Sequence, residues 1–242
     1  MNNTGKKCAF TLIELLVVMA IIALLLSVVM PALQSAKTLA RRLVSASNMR
    51  QIGLAISLYA DDNNGLFPLT THTPGELRQT WIYTLAPYLS DIDKIRICPA
   101  DPYGKQRLEH NTTSYIFNDY MTPLYRFGQL VQTESFHNLH RLRRPDLTVT
   151  VFVCANEKSP TDTGGDHTHS RSSWFVAGSA EERWMAIRSD IQPDRYGMGR
   201  PNEDRTQGTT LFLYADTRTE VIQAQEVKQW SDDNVNFAKP IQ

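Results

Sequence analysis

The sequence predicts an α+β protein: one long N-terminal helix, membrane-spanning over its first half, packs its second half on a small antiparallel sheet with loop-rich insertions. Three observations predict it. Residues 10–30 form an apolar run that holds a single charge, Glu14. Apolar positions at helical spacing then continue as far as Tyr59. Beyond a turn signal at 61–65, short runs rich in Val, Thr, Phe and Tyr alternate with loops carrying Pro and Gly.

The composition fits a single soluble unit on one hydrophobic stem. The 242 residues include 25 basic and 25 acidic side chains, and 42% are hydrophobic. That balance excludes a disordered chain, which needs less apolar content or a large net charge. A mean hydropathy of −0.32 excludes a polytopic membrane protein. No basic excess marks a nucleic-acid partner.

The 21 residues 10–30 reach about 32 Å as a helix, the thickness of a bilayer core. Three roles fit such a stem: a secretory signal, a plain anchor, or the retained helix of a cleaved leader. A secretory signal needs small residues at −3 and −1 after the apolar run, and Pro31-Ala32-Leu33-Gln34-Ser35-Ala36 offers no clean pair. Lys6 and Lys7 precede the run while Lys37, Arg41 and Arg42 follow it, so charge bias does not orient it. Glu14 discriminates, because a carboxylate in an apolar helix is costly unless it snorkels, is protonated or meets a cation. A free amine four residues earlier, created by cutting before Phe10, is the best such cation.

The helix continues along one face through Leu33, Ala36, Leu39, Ala40, Leu43, Val44, Ile52, Ala55, Ile56 and Tyr59. Pro31 removes one backbone donor, so a kink is expected there. Asp61-Asp62-Asn63-Asn64-Gly65, with Pro68 beyond, ends the helix near Ala60. Residues 81–89 read as a short helix, and strands are expected at 114–118, 147–154, 174–177, 209–214 and 219–224. Asp216-Thr217-Arg218 turns the last two into a hairpin, and Gly164-Gly165 and residues 193–208 are expected as exposed loops.

Few residues suggest chemistry. Cys98 and Cys154 are either a candidate disulfide or two separate buried thiols, since spacing cannot fix the geometry. Asp166-His167-Thr168-His169 has two histidines at i, i+2 without a cysteine partner, and fits a solvated loop better than a metal site. Arg141, Arg143 and Arg144 fit a solvated face rather than a nucleic-acid surface. No P-loop, HExxH or GxSxG is present. No catalytic residue and no metal centre are assigned.

Lys6-Lys7-Cys8-Ala9-Phe10-Thr11-Leu12-Ile13-Glu14 resembles the prepilin leader of type IV pilins and type II secretion pseudopilins. Ala9 stands where that family carries Gly, and Pro31 where many members carry a helix-kinking proline. The resemblance implies a pilin-like fold, cleavage between Ala9 and Phe10 by a prepilin peptidase, N-methylation of Phe10, and pairing of Glu14 with a neighbouring subunit's Phe10 amine. Residues 48–55, 59–65, 97–101 and 114–118 resemble a subgroup of prepilin-like proteins with large ectodomains. That subgroup often ends in His-x9-Asp-Gly; here Asp216 is kept, Thr217 replaces Gly and Thr206 stands at the His position. Some major pseudopilins bind calcium. The corresponding acidic candidates, Asp61, Asp62, Asp194, Glu203, Asp204 and Asp216, do not match an EF-hand loop, and no cofactor is expected.

The expected function is that of a non-enzymatic, minor subunit of a type IV pilus-like or type II secretion filament. Residues 1–9 would be the leader, 10–30 the membrane and filament-core helix, 31–60 its amphipathic continuation, and 61–242 a periplasmic or extracellular ectodomain. Implied partners are the peptidase, other pilin or pseudopilin subunits, the inner membrane, and an assembly platform with its ATPase; nucleic acid is not among them. The alternative is a single-pass, membrane-anchored periplasmic enzyme or ligand-binding protein.

Overall fold

The computed structural model describes residues 11–71, 81–126, 129–131, 136–176, 178–197 and 204–241. The first helix, α1 (Leu12–Asp62), is a continuous run of 51 residues, about 77 Å long, and it passes through Pro31. Its end follows from backbone chemistry. Asn64 and Gly65 both adopt left-handed φ, +55° and +81°, and the Gly65 N–H closes back on the Ala60 carbonyl at 2.7 Å. A Cβ at Gly65 would lie 2.7 Å from the Asn138 side chain, so the turn needs glycine for space as well as for φ.

The main sheet has the order β1-β4-β5-β6 and is antiparallel throughout: β1 (Tyr115–Phe117), β4 (Val149–Val153), β5 (Thr209–Tyr214) and β6 (Thr219–Gln223). A separate two-stranded ribbon joins β2 (Tyr125–Arg126) and β3 (Gln129–Leu130). β1, β4 and β5 are buried along their whole length, which requires cover on both faces. Strand alternation and register divide that cover. Tyr115, Val153, Val151 and Leu213 face α1, where Met49, Ile52, Ala55 and Ile56 are buried. Phe152 and Phe212, paired across β4 and β5, face the other way into a ring cluster with Trp174, Trp230 and Phe237, at centroid separations of 4.9–6.3 Å. Two helices also pack together there, α5 (Ala180–Asp190) and α6 (Ala224–Asp232).

The expected strands at 114–118, 147–154, 209–214 and 219–224 are β1, β4, β5 and β6, with ends shifted by at most two residues. The expected helix at 81–89 divides into α2 (Trp81–Thr84) and a 3-10 turn at Ala86–Tyr88, because Pro87 has no N–H to continue an α-helix. Two further short helices, α3 (Ile92–Ile95) and α4 (Gly104–Glu109), follow.

Three expectations are corrected. Residues 174–176 are not a strand: Ser170–Trp174 form a π-helical turn that brings the Trp174 indole into the ring cluster, with Nε1 donating to Asp190 Oδ2 at 2.7 Å. Ala177 lies outside the described residues. Residues 193–196 are buried rather than looped into solvent, because the Tyr196 N–H bonds the Thr209 carbonyl and Arg195 donates to the Cys154 carbonyl at 2.5 Å. Asp166, His167 and Thr168 are likewise buried, not solvated. They run parallel to β1, exchanging backbone bonds with Phe117 at 3.0 and 2.9 Å, and so close that sheet edge.

Candidate assembly site

Ala9 and Phe10 lie outside the described residues, and Thr11 opens the described chain. Thr11 is the N-cap of α1 and Glu14 is its third helical residue, and the two form a capping box. Glu14 Oε2 accepts from the Thr11 N–H at 2.8 Å and from Thr11 Oγ1 at 2.7 Å, while the Glu14 N–H reaches back to Thr11 Oγ1 at 3.3 Å. The carboxylate is thus held at the positive end of its own helix, bonded to Thr11, the residue that follows Phe10 in sequence. The Thr-x-x-Glu pattern ahead of an apolar run is the signal that foretells this, and a reading of Glu14 through snorkelling, protonation or a cation misses it.

Among the described residues nothing covers the stem. From Leu12 to Met30 every large apolar side chain is 45–78% exposed. This is the one helix among the described residues long and apolar enough to cross a membrane. Burial begins at Ser45 and is carried by Asn48, Met49, Ile52, Gly53, Ala55, Ile56 and Ala60, one face of the helix. Asn48 Nδ2 donates to the Lys94 and Ile97 carbonyls at 3.2 and 3.3 Å, tying the stem to the loop around α3. Gly53 lets the helix approach the sheet closely: a Cβ there would meet Leu213 Cδ1 at 3.0 Å and Thr217 Cα at 3.2 Å.

Cys98 and Cys154 are both free and buried, which is the second of the two readings, separate thiols rather than a disulfide. The sheet separates them. Cys98 Sγ lies on the α1 face, 3.2 Å from Ser45 Oγ and 3.3 Å from the Tyr196 hydroxyl. Cys154 follows Val153, which faces α1 opposite Tyr115, so alternation sends the Cys154 thiol to the other face. Burial pushes that thiol's pKa up, although Arg107 and Lys158 oppose the rise.

On that face, Asp101 accepts from Arg107 Nε at 2.8 Å and Ser114 Oγ at 2.7 Å, with Arg107 Nη2 continuing to the Ala155 and Lys158 carbonyls. Burial pushes the Asp101 carboxyl up, but Arg195 and Arg107 outweigh it and the net shift is down. The histidine segment forms two carboxylate pairs: His167 Nδ1 with Asp166 at 3.0 Å and His169 Nδ1 with Asp190 at 2.9 Å. Asp190 also takes Lys158 Nζ at 2.9 Å. The hydrogen bond that His169 donates to the Asp190 carboxylate raises the His169 pKa. Burial raises Asp190, yet His169 and Lys158 bring it below the usual carboxylate range.

The acidic candidates do not converge. Asp61 bonds His140 at 3.0 Å, Asp62 accepts from the Tyr88 hydroxyl at 2.7 Å, and Asp194 accepts from Gln192 at 2.6 Å. Asp216 sits in the β5–β6 turn, Asp204 is exposed elsewhere, and Glu203 lies outside the described residues. Among the described residues no group of three His, Cys, Asp or Glu side chains could hold a metal ion. Arg141, Arg143 and Arg144 are exposed, with Arg144 paired to Asp146.

A bare apolar stem, a carboxylate at its start and a sheet laid on its distal half define a membrane-stemmed subunit of the prepilin type. Residues 4–30 match the family model described as the prokaryotic N-terminal methylation motif. Residues 34–218 match the one described as "Protein of unknown function (DUF1559)". Over 107 residues the chain is 34% identical to the type II secretion system core protein G of Escherichia coli (strain K12), covering 43% of this chain and 72% of that protein. The chain belongs to the pseudopilin family and also to the DUF1559 family, whose model spans most of its length. No solved structure matches it.

Proposed function

We propose that the protein is a structural, minor subunit of a type II secretion-like or type IV pilus-like filament. Prepilin peptidase would cut between Ala9 and Phe10 on the cytoplasmic side and the Phe10 amine would be methylated. The stem would wait in the inner membrane, bend at Pro31, and carry the ectodomain on the periplasmic face. An assembly platform and its ATPase would then lift the subunit into a filament of pseudopilin stems. The observation that carries this is the stem: apolar on all sides, uncovered by the described residues, with Glu14 fixed at its start. In a low-dielectric setting, a neighbour's amine would attract that carboxylate far more strongly than it could in water. Thr217 supports the large-ectodomain subgroup: its φ of +71° is a conformation that favours the glycine found there in other members.

The test is the N-terminal peptide of protein taken from native membranes, read by mass spectrometry. A peptide beginning at Phe10 with one added methyl group is expected. A chain that still carries Lys6 and Lys7 would overturn the proposal and favour a single-pass anchored enzyme or ligand-binding protein.

A further inference from the structure

Between Glu14 and Asp61 the helix carries no acid, only the cations Lys37, Arg41, Arg42 and Arg50. None of the four has an ion-pair partner among the described residues. Arg42 turns to the ectodomain, with Nη1 donating to Thr209 Oγ1 at 3.3 Å. Lys37 and Arg41 remain exposed, one helical turn apart. They line an open cleft of about 500 Å³ with Gln34 and Thr38 beside them and Gly197 of the ectodomain across from them.

Their height on the stem is informative. The Lys37 and Arg41 Cα atoms stand roughly 10 and 16 Å beyond Met30 along the axis. Helix side chains lean toward the N-terminus, which here is toward the membrane. Long cationic stems snorkel in that direction, and the polar layer adds roughly 5–8 Å on each side of the hydrocarbon core. The Lys37 ammonium therefore reaches headgroup level and the Arg41 guanidinium stands just above it, on the side of the membrane where charge bias gives cations no topological purpose.

We propose that Lys37 and Arg41 bind the headgroup phosphates of anionic phospholipid in the leaflet facing the ectodomain, and so fix the ectodomain's height before assembly. The proposal rests on the membrane-stemmed function above. Lipid is favoured over a neighbouring subunit's carboxylate because Lys37 reaches into the polar layer and Arg41 faces it from one helical turn above. Arg50, roughly 30 Å beyond Met30, is the cation placed to meet another subunit. Each cation close to an anionic surface contributes roughly a fivefold gain in affinity.

The experiment places the full chain in nanodiscs of phosphatidylcholine mixed with phosphatidylglycerol and counts the lipids it retains by native mass spectrometry. Wild type is expected to enrich phosphatidylglycerol at least about fivefold over the bilayer ratio. The exposed double variant K37Q/R41Q loses the enrichment, and K37R/R41K keeps it. Absence of enrichment in wild type, or its survival in K37Q/R41Q, overturns the proposal. Removal of the enrichment by inorganic phosphate alone makes the cleft a soluble-anion site and also overturns it. So does unchanged enrichment with lost self-association, which would assign the two cations to a neighbouring subunit. A chain that fails to enter pure phosphatidylcholine nanodiscs overturns the membrane-stemmed function itself.

Discussion

Glu14 already has partners before any neighbour arrives, and this separates two roles that one carboxylate can play. Its bonds to Thr11 start the helix, and its charge is what a neighbouring amine would seek. Glutamine at the third helical position can still accept through its amide oxygen, so E14Q keeps the capping box and removes the charge. E14A removes both and weakens the helix start by about 0.5–2 kcal/mol. If charge drives assembly, cross-linked filament should be lost equally in both variants, while hydrogen exchange at residues 12–16 rises only in E14A. Wild-type assembly of E14Q would show that the carboxylate serves the cap alone. In the ectodomain, the raised pKa of His169 and the lowered pKa of Asp190 set opposite limits. A raised histidine pKa stabilises the fold fully below its unfolded value, near 6.5, and that contribution is lost as pH rises through the folded value. The Asp190 contribution holds above about 3.8 and is lost as pH falls through its lower folded value. The thermal midpoint of the full chain in detergent should therefore decline as pH rises above about 6.5, and H169Q should abolish most of that decline.

At the scale of elements, the contact of α1 with the β5–β6 hairpin is set by one glycine and one strained threonine. G53A would push a Cβ against Leu213 and the Thr217 backbone. Overpacking of this kind costs about 1–3 kcal/mol, because neither β5 nor the turn can give way without breaking its register. Thr217 is β-branched and sits at φ +71°, a conformation that costs roughly 1–2 kcal/mol for a residue with a Cβ. T217G should raise the unfolding free energy by about 1 kcal/mol, and with it the denaturation midpoint, without changing the m-value, and G53A should lower both; a stabilising G53A would contradict the close approach. The hairpin itself was legible in the sequence, as were β1, β4 and the whole course of α1, because each combines a clear period with Asp, Asn or Gly punctuation. α5 and α6 were not, since both are short and polar on average. Ser179 and Glu182 nonetheless spell the capping box that starts α5. The Asp101–Arg107–Ser114 network and the Asp166 and Asp190 pairs were illegible for a different reason. Their burial is decided by partners far along the chain, such as Trp81 with Asp166, and no local pattern encodes that.

The whole molecule is a sheet covered on both faces, with a helix that belongs half to the ectodomain and half to whatever surrounds the stem. This division makes the stem removable up to a definite point. No residue from Leu12 to Val44 is buried, whereas Ser45, Asn48 and Met49 are. Deleting residues 1–30 should leave cooperative unfolding, with a midpoint within about 2 °C of the full chain, since it removes less than roughly 0.5 kcal/mol of packing. Deleting residues 1–50 removes Met49, whose burial is worth about 1.5–3 kcal/mol, and the Asn48 bonds to the α3 loop, each about 1 kcal/mol. It also strips Ser45 from the buried Cys98 thiol and opens the α1 face of the sheet. Against a typical total of about 5–15 kcal/mol, that loss should broaden or abolish the transition. Calorimetry on the two truncations distinguishes the alternatives. A sharp transition in the longer deletion would mean that the sheet and its ring cluster fold without the helix, and that α1 is only a handle. Its loss, with the shorter deletion intact, would mean that one continuous helix is both membrane stem and core element. Force applied to the stem during extraction would then act directly on the ectodomain core, without a flexible joint between them.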